Sequence, residues 1–327
     1  MKKVMREHFL ERYDGTNGVD LRLVPNLPAS LNIEVNSSCN HSCVVCPYHA
    51  QTASHSIGSH VMDFEMVKKI LDEASRLGIG RKEVGFYMNG EPFLYPKLPD
   101  VIRYAKTKGF PYTYLTTNGS MSTPERLKAV VDAGLDSIRF SVNGCNREQY
   151  KEFHGRDDFD RVCEHIRFLS EYRKKSGSDI GVSISCVITK KTDGIQNEVR
   201  ELFSAFVDDI IFIPVLVMPA MRSALTEYIF DKDLNPTIDE NYVCKSVFHG
   251  MYIDAKGRVL VCCQAYGEKD EVSVAYDLKD GIDLEKAWAS PTFQRYRRMF
   301  MEHQGLKGTI CESCYLTLRK NEEIFQD

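Results

Sequence analysis

Between about residues 31 and 215 short apolar runs alternate with amphipathic stretches, and this alternation admits few folds. The runs cover 31–36, 83–88, 112–116, 137–142, 181–188 and 210–215. Helical periodicity fills the intervals at 64–77, 98–108, 124–133, 159–173 and 195–206. Pro124 suits the first turn of its helix, with Thr123 as N-cap. Gly78, Gly109 and Gly134 each follow a helical stretch, where a left-handed residue closes the last turn. Six strands separated by five helices predict parallel βαβ units with right-handed crossovers. The α/β class is then either a partial (β/α)6 TIM-like barrel or an open doubly wound sheet. In both, ligands gather at the carboxyl ends of the strands. The first four runs lead into polar loops at that end: NSSCNHSCVVC, NGEP, TNGS and NGCN.

The pattern changes after Pro219. Residues 1–30 read as an N-terminal extension, 31–219 as the barrel, 220–243 as a connector and 244–327 as a small cysteine-rich domain. That last segment predicts a hairpin (247–254 with 258–263, turned at Ala255-Lys256-Gly257) and one or two helices around 284–301. Its size and cysteine content point to metal-dependent stability. The 327 residues carry a formal net charge of −4, which argues against a nucleic-acid footprint or a polybasic membrane anchor. Arg295, Arg297 and Arg298 read as a solvated helix face. The first residues lack an apolar signal core, and the apolar run at 210–221 is broken by Pro214 and Pro219, so a cytoplasmic protein is expected.

Of the 11 cysteines, Cys39, Cys43 and Cys46 form C-x3-C-x2-C directly after the first strand. Three thiolates in one loop can hold three corners of a [4Fe–4S] cube and leave one iron open. Zinc or buried thiols are the alternatives. The loop and the six βα units resemble the radical S-adenosylmethionine (SAM) superfamily. That resemblance implies that SAM chelates the open iron and is cleaved reductively to a 5′-deoxyadenosyl radical, which abstracts a hydrogen atom. Val45 departs from the aromatic residue often found at that position, and Tyr48 is a possible substitute. Asn89-Gly90-Glu91-Pro92 resembles the family's Gly-Gly-Glu-Pro, which implies that Asn89, Gly90 and Glu91 meet the methionine ammonium; a plain turn is the other reading. Asn118, Ser141 and Arg156 likewise resemble cofactor-lining residues, with Arg156 toward the methionine carboxylate; a plain exposed surface arginine is the other reading of Arg156.

Cys244, Cys262, Cys311 and Cys314 supply four thiolates in the pattern C-x12-G-x4-C, then C-x2-C. Spacing alone leaves [4Fe–4S] and zinc open. The arrangement resembles the short "twitch" form of the SPASM extension, which implies a second, auxiliary [4Fe–4S] cluster and two clusters in all. On a continuing strand Cys263 would face away from Cys262. Cys263, and after it Cys145, are candidate hydrogen donors to a substrate radical, whereas Cys163 and Cys186 read as isolated thiols. The lead expectation is oxidation of a small polar molecule, a sugar or aminocyclitol, with a flavodoxin- or ferredoxin-type electron donor. Epimerisation by a cysteine hydrogen donor, peptide modification and a non-catalytic metal-binding role are the alternatives. The early start of the barrel leads us to expect no built-in leader-peptide-binding domain.

Overall fold

A computed structural model describes residues 20–46, 59–215, 223–231, 242–263, 265, 273–307, 309–311 and 314. Its first half follows the alternation: β1 (Ser30–Ile33), α1 (Phe64–Leu77), β2 (Glu83–Gly85), α2 (Leu98–Thr107), β3 (Thr113–Thr117), α3 (Pro124–Asp132) and β4 (Ser137–Ser141). Then come α4 (Arg147–His154), α5 (Phe159–Ser176), β5 (Gly181–Ile188), α6 (Gln196–Phe203) and β6 (Asp209–Pro214). The C-terminal part contributes α7 (Ser246–His249), β7 (Gly250–Ile253), β8 (Arg258–Leu260), β9 (Val274–Asp277), α8 (Leu284–Trp288) and α9 (Pro291–Met301).

Gly78, Gly109 and Gly134 all take positive φ. Thr123 stands at the N-cap position of α3 with Pro124 in the first turn, as expected, though its side chain makes no cap bond to the backbone. Periodicity missed α4, because its polar sequence REQYKEFH has little apolar signal. What defines it is a capping bond from Gln149 N–H to Asn146 Oδ1 and the left-handed Gly155 at its end.

Strands β1 to β6 stand in consecutive order, each parallel to the next. Unidirectional right-handed crossovers put every helix on the same side of the sheet. This resolves the choice in favour of the partial barrel, because a doubly wound sheet reverses direction. Ile138, Phe140, Val182 and Ile184 are buried toward the helices, and Gly119 packs between Phe140 and Val162 of α5. Residues of opposite parity face the inside. Thr116 pairs with Arg139, Arg139 with Ser183, and Ser141 with Ser185, so the inner face of the central strands is polar.

The cysteine-rich segment is built onto the barrel. β7 pairs in parallel with β1 from Ser30↔Gly250 to Ile33↔Ile253, and β8 and β9 follow antiparallel. The expected hairpin is therefore an extension of the same sheet, and its first predicted residues form the helical turn α7 instead. Arg297 corrects the reading of a solvated face. It is fully buried, donates to the carbonyls of Leu23, Val247 and Trp288, and stacks on Trp288 and Phe293. Periodicity could not separate it from Arg295 and Arg298, because a long side chain can lie along apolar surface and still reach carbonyls.

Candidate cluster and cofactor site

The loops after β1, β2 and β3 interlock. Asn36 donates to the carbonyls of Ser38 (2.9 Å) and Glu91 (3.1 Å), and Glu91 N–H donates to Ser38 O at 2.8 Å. Gly90 is required by this packing, since a Cβ there would stand 2.1 Å from Asn36 O. Asn40 bridges to the third loop, donating to Ser120 Oγ at 2.7 Å and accepting from Asn118 Nδ2 at 3.0 Å.

Glu91 is buried, and its carboxylate accepts from Thr117 Oγ1 (2.7 Å), Asn118 N (2.8 Å) and Phe93 N (3.0 Å). Burial pushes its carboxyl above the usual range, against those three bonds. Most of its acceptor capacity thus holds the second and third loops together. Asn89 N–H and Gly90 N–H donate to Glu34 Oε1 at 2.8 and 3.3 Å, and Ala255 N–H donates to Oε2 at 3.1 Å. Glu34 was not singled out from the sequence, though a lone carboxylate inside the apolar run LNIEV was a signal. It ties the Asn89-Gly90 loop to the turn between β7 and β8.

The cysteine loop rests on the end of α4. Ser42 N–H donates to His154 O at 3.1 Å and Val44 N–H to Phe153 O at 2.9 Å. Gly155, at φ +68°, admits this approach; a Cβ there would lie 2.0 Å from Ser42 Oγ. Cys39 is exposed, yet packing behind its sulfur pushes the thiol up to about 11. Burial pushes Cys43 higher still, and the negative charges that Cys39 and Cys46 carry as thiolates add to it. Cys39 accepts from His41 N–H and, at 3.8 Å, from Asn118 Nδ2, while His154 Nδ1 lies 3.5 Å from Cys43 Sγ. Three gathered sulfurs, of which Cys39 and Cys43 face nitrogen groups, fit thiolates ligated to an iron–sulfur cube, because anionic sulfur accepts N–H bonds far better than a neutral thiol.

Ser141 ends β4 on the inner face, half-buried. Arg156 is exposed. Cys145 donates to Gln149 Oε1 at 3.2 Å, so its thiol lies against the first turn of α4. Tyr48 lies outside the described residues.

Of the remaining cysteines, Cys244, Cys262, Cys263, Cys311 and Cys314 come together. The Cys262 thiol is held well above its usual range by a hydrogen bond with Cys263, by burial, and by Cys263, Cys244 and Cys314 as thiolates. Burial, then Cys244 and Cys314, raise Cys311 in the same way. The chain bends after Leu260, so Cys262 and Cys263 leave the strand alternation and their thiols meet. The opposed facing expected on a continuing strand does not apply, because β8 ends at Leu260. Five sulfurs thus gather where four were expected.

The sequence profile of the radical SAM superfamily matches residues 33–202, from the end of β1 through the three-cysteine loop and strands β2 to β5. The chain belongs to the radical SAM superfamily. The SPASM iron–sulfur cluster-binding domain matches residues 244–315. The radical SAM domain implies SAM and a [4Fe–4S] cluster, and the SPASM domain implies auxiliary iron–sulfur clusters. Among curated relatives, the tungsten-containing aldehyde ferredoxin oxidoreductase cofactor-modifying protein of Pyrococcus furiosus is 29% identical over 68% of this chain and 61% of its own length. The GTP 3′,8-cyclase of Chlorobaculum tepidum is 31% identical over 42% of this chain and 39% of its own. This radical SAM chain thus spans about two to three fifths of these relatives. The fold is shared with Streptococcus suis SuiB bound to SAM (TM-score 0.64, 17% identity, 99% of this chain and 80% of that one). It is shared also with BtrN in complex with AdoMet and 2-DOIA (TM-score 0.57, 18% identity, 89% and 94%). No helix among the described residues is long and apolar enough to cross a membrane.

Proposed function

We propose that this radical SAM enzyme dehydrogenates a small polar molecule, a sugar or aminocyclitol. The observation that carries the reading is the inner face of the strands, where Asn32, Thr116, Arg139, Ser141, Ser183 and Ser185 line a wall beneath the cysteine loop. Such a lining supplies partners to hydroxyl and amino groups and disfavours an apolar ligand. When bound, SAM on the open iron supplies a 5′-deoxyadenosyl radical that takes a hydrogen atom, and an auxiliary cluster supplies an acceptor for the second electron.

The chain's own part is to hold and orient. Cys39, Cys43 and Cys46 hold the first cluster; Cys244, Cys262, Cys311 and Cys314 hold the second. The Asn89-Gly90-Glu91 loop, Asn118, Ser141 and Arg156 hold SAM, with Arg156 toward its carboxylate. A flavodoxin- or ferredoxin-type protein is the proposed electron donor. Loss of a carbinol hydrogen, one further electron and the hydroxyl proton gives the ketone, and the inner face must accept that proton.

The test is anaerobic turnover with dithionite, SAM and a panel of sugars and aminocyclitols deuterated at the carbinol carbons. A ketone and a deuterated 5′-deoxyadenosine in equal amounts are expected. Deuterium retained in every polyol, while 5′-deoxyadenosine still forms, overturns the substrate class. A second reading, epimerisation, draws support from Cys263, which packs against the small apolar cluster that also holds Met88, beside the loop after β2. Cys263→Ala separates the two: lost product with continued 5′-deoxyadenosine formation favours epimerisation, and unchanged turnover removes Cys263 from the chemistry.

A further inference from the structure

Behind the first cluster loop lies a buried chain of polar groups that neither the family's cysteine motif nor the proposed reaction uses. Asn143 N–H donates to His154 Nε2 at 3.3 Å. His154 Nδ1 faces His41 Nδ1 at 3.3 Å and Cys43 Sγ at 3.5 Å. His41 Nε2 faces Asp158 Oδ2 at 3.2 Å, and Arg161 binds the other Asp158 oxygen at 2.9 Å. Both imidazoles are buried, and Tyr150 stacks on His154 with ring centres 4.0 Å apart.

The partners fix the protons. A backbone N–H can only donate, so His154 Nε2 is an acceptor and its single proton sits on Nδ1. Asp158 can only accept from His41, so His41 carries its proton on Nε2 and presents a lone pair at Nδ1. A second proton on either ring would set donor against donor. The His154 Nδ1–H is therefore shared between His41 Nδ1 and the sulfur of Cys43.

We propose that His154 is a positioning residue that donates an N–H···S hydrogen bond to the Cys43 thiolate and thereby raises the reduction potential of the SAM-binding cluster. A donor on a cluster sulfur withdraws negative charge and so stabilises the reduced state, which carries one electron more. His41 and Asp158 hold the imidazole in the donating tautomer, and the seat of the cysteine loop on Phe153 and His154 keeps donor and sulfur in register. The inference rests on the cluster site itself, so its test first requires a SAM-responsive cluster signal in the wild-type chain.

The experiment is a redox titration, followed by electron paramagnetic resonance, of the full cluster-loaded chain. The first cluster is recognised by the change in its signal when SAM is added. His154→Phe keeps a ring against Tyr150 and removes the donor. With iron per chain unchanged, its one-electron reduction constant is expected to fall about tenfold, ~59 mV for a one-electron couple, and His154→Gln, which restores an N–H, recovers most of the loss. An unmoved midpoint in loaded His154→Phe overturns the proposal. Wild-type chain labelled with 15N-histidine covers the case in which His154→Phe loses iron: pulsed resonance of the reduced cluster then shows a weak coupling from a nitrogen that is not a ligand. Absence of that coupling also overturns the proposal, and absence of any SAM-responsive signal in wild type overturns the cluster site with it.

Discussion

Replacing Glu34 by glutamine changes how the stability of the fold depends on pH. The wild-type carboxyl is 3% exposed and accepts three backbone N–H groups, from Asn89, Gly90 and Ala255. Burial pushes its ionisation from 4.5 up to about 7 against those three bonds, and nearby Asp254 adds to the rise. Between those pH values the folded chain keeps a proton that the unfolded chain has released. The stability this group contributes is complete below the unfolded value and is lost as pH rises through the folded one. At about 1.4 kcal/mol per pH unit the loss is about 3 kcal/mol. Glu34→Gln sets an N–H2 against one of the three backbone donors, a cost of about 1–3 kcal/mol that does not vary with pH. The wild-type advantage over the variant should therefore shrink by about 3 kcal/mol from pH 4.5 to pH 8. Anaerobic urea unfolding of both chains across that range measures the gap, and infrared difference spectra follow the protonated carboxyl that the variant lacks. A gap that stays constant, or a carboxyl fully ionised by pH 5.5, refutes the reasoning.

Further predictions follow from single contacts. Gly155→Ala places a Cβ 2.0 Å from Ser42 Oγ at a left-handed φ, so the cysteine loop lifts off α4 and iron content drops; Ser42→Gly in the same chain should recover part of it. Arg297→Lys keeps the charge but loses the fork that binds three carbonyls, and unfolding measurements should show a loss of about 2 kcal/mol or more. Cys311→Ser should cost about half of the bound iron while reductive SAM cleavage by the first cluster persists, as iron assay and 5′-deoxyadenosine release will report. Glu91→Ala leaves Thr117, Asn118 and Phe93 without their shared acceptor, and SAM binding followed by calorimetry should weaken at least tenfold.

The sequence by itself determined the strand and helix alternation, because periodicity and terminal glycines are local signals. It also located both cysteine groups, the first by its spacing along one loop and the second by the pattern C-x12-G-x4-C followed by C-x2-C. It did not determine which atoms face those sulfurs. His154 is 111 residues from Cys43 and Glu34 is 221 from Ala255, and single-chain patterns carry no record of such distances. Tertiary structure decided three further things. The order of the strands made the sheet a partial barrel with a polar inner wall; the pairing of β7 with β1 fused the cysteine-rich segment to it. The early end of β8 brought Cys263 to Cys262 where uninterrupted alternation would have parted them. In each case the deciding energy is burial: a carboxylate, an imidazole or a thiol enclosed by the fold must find its partner wherever the chain brings one.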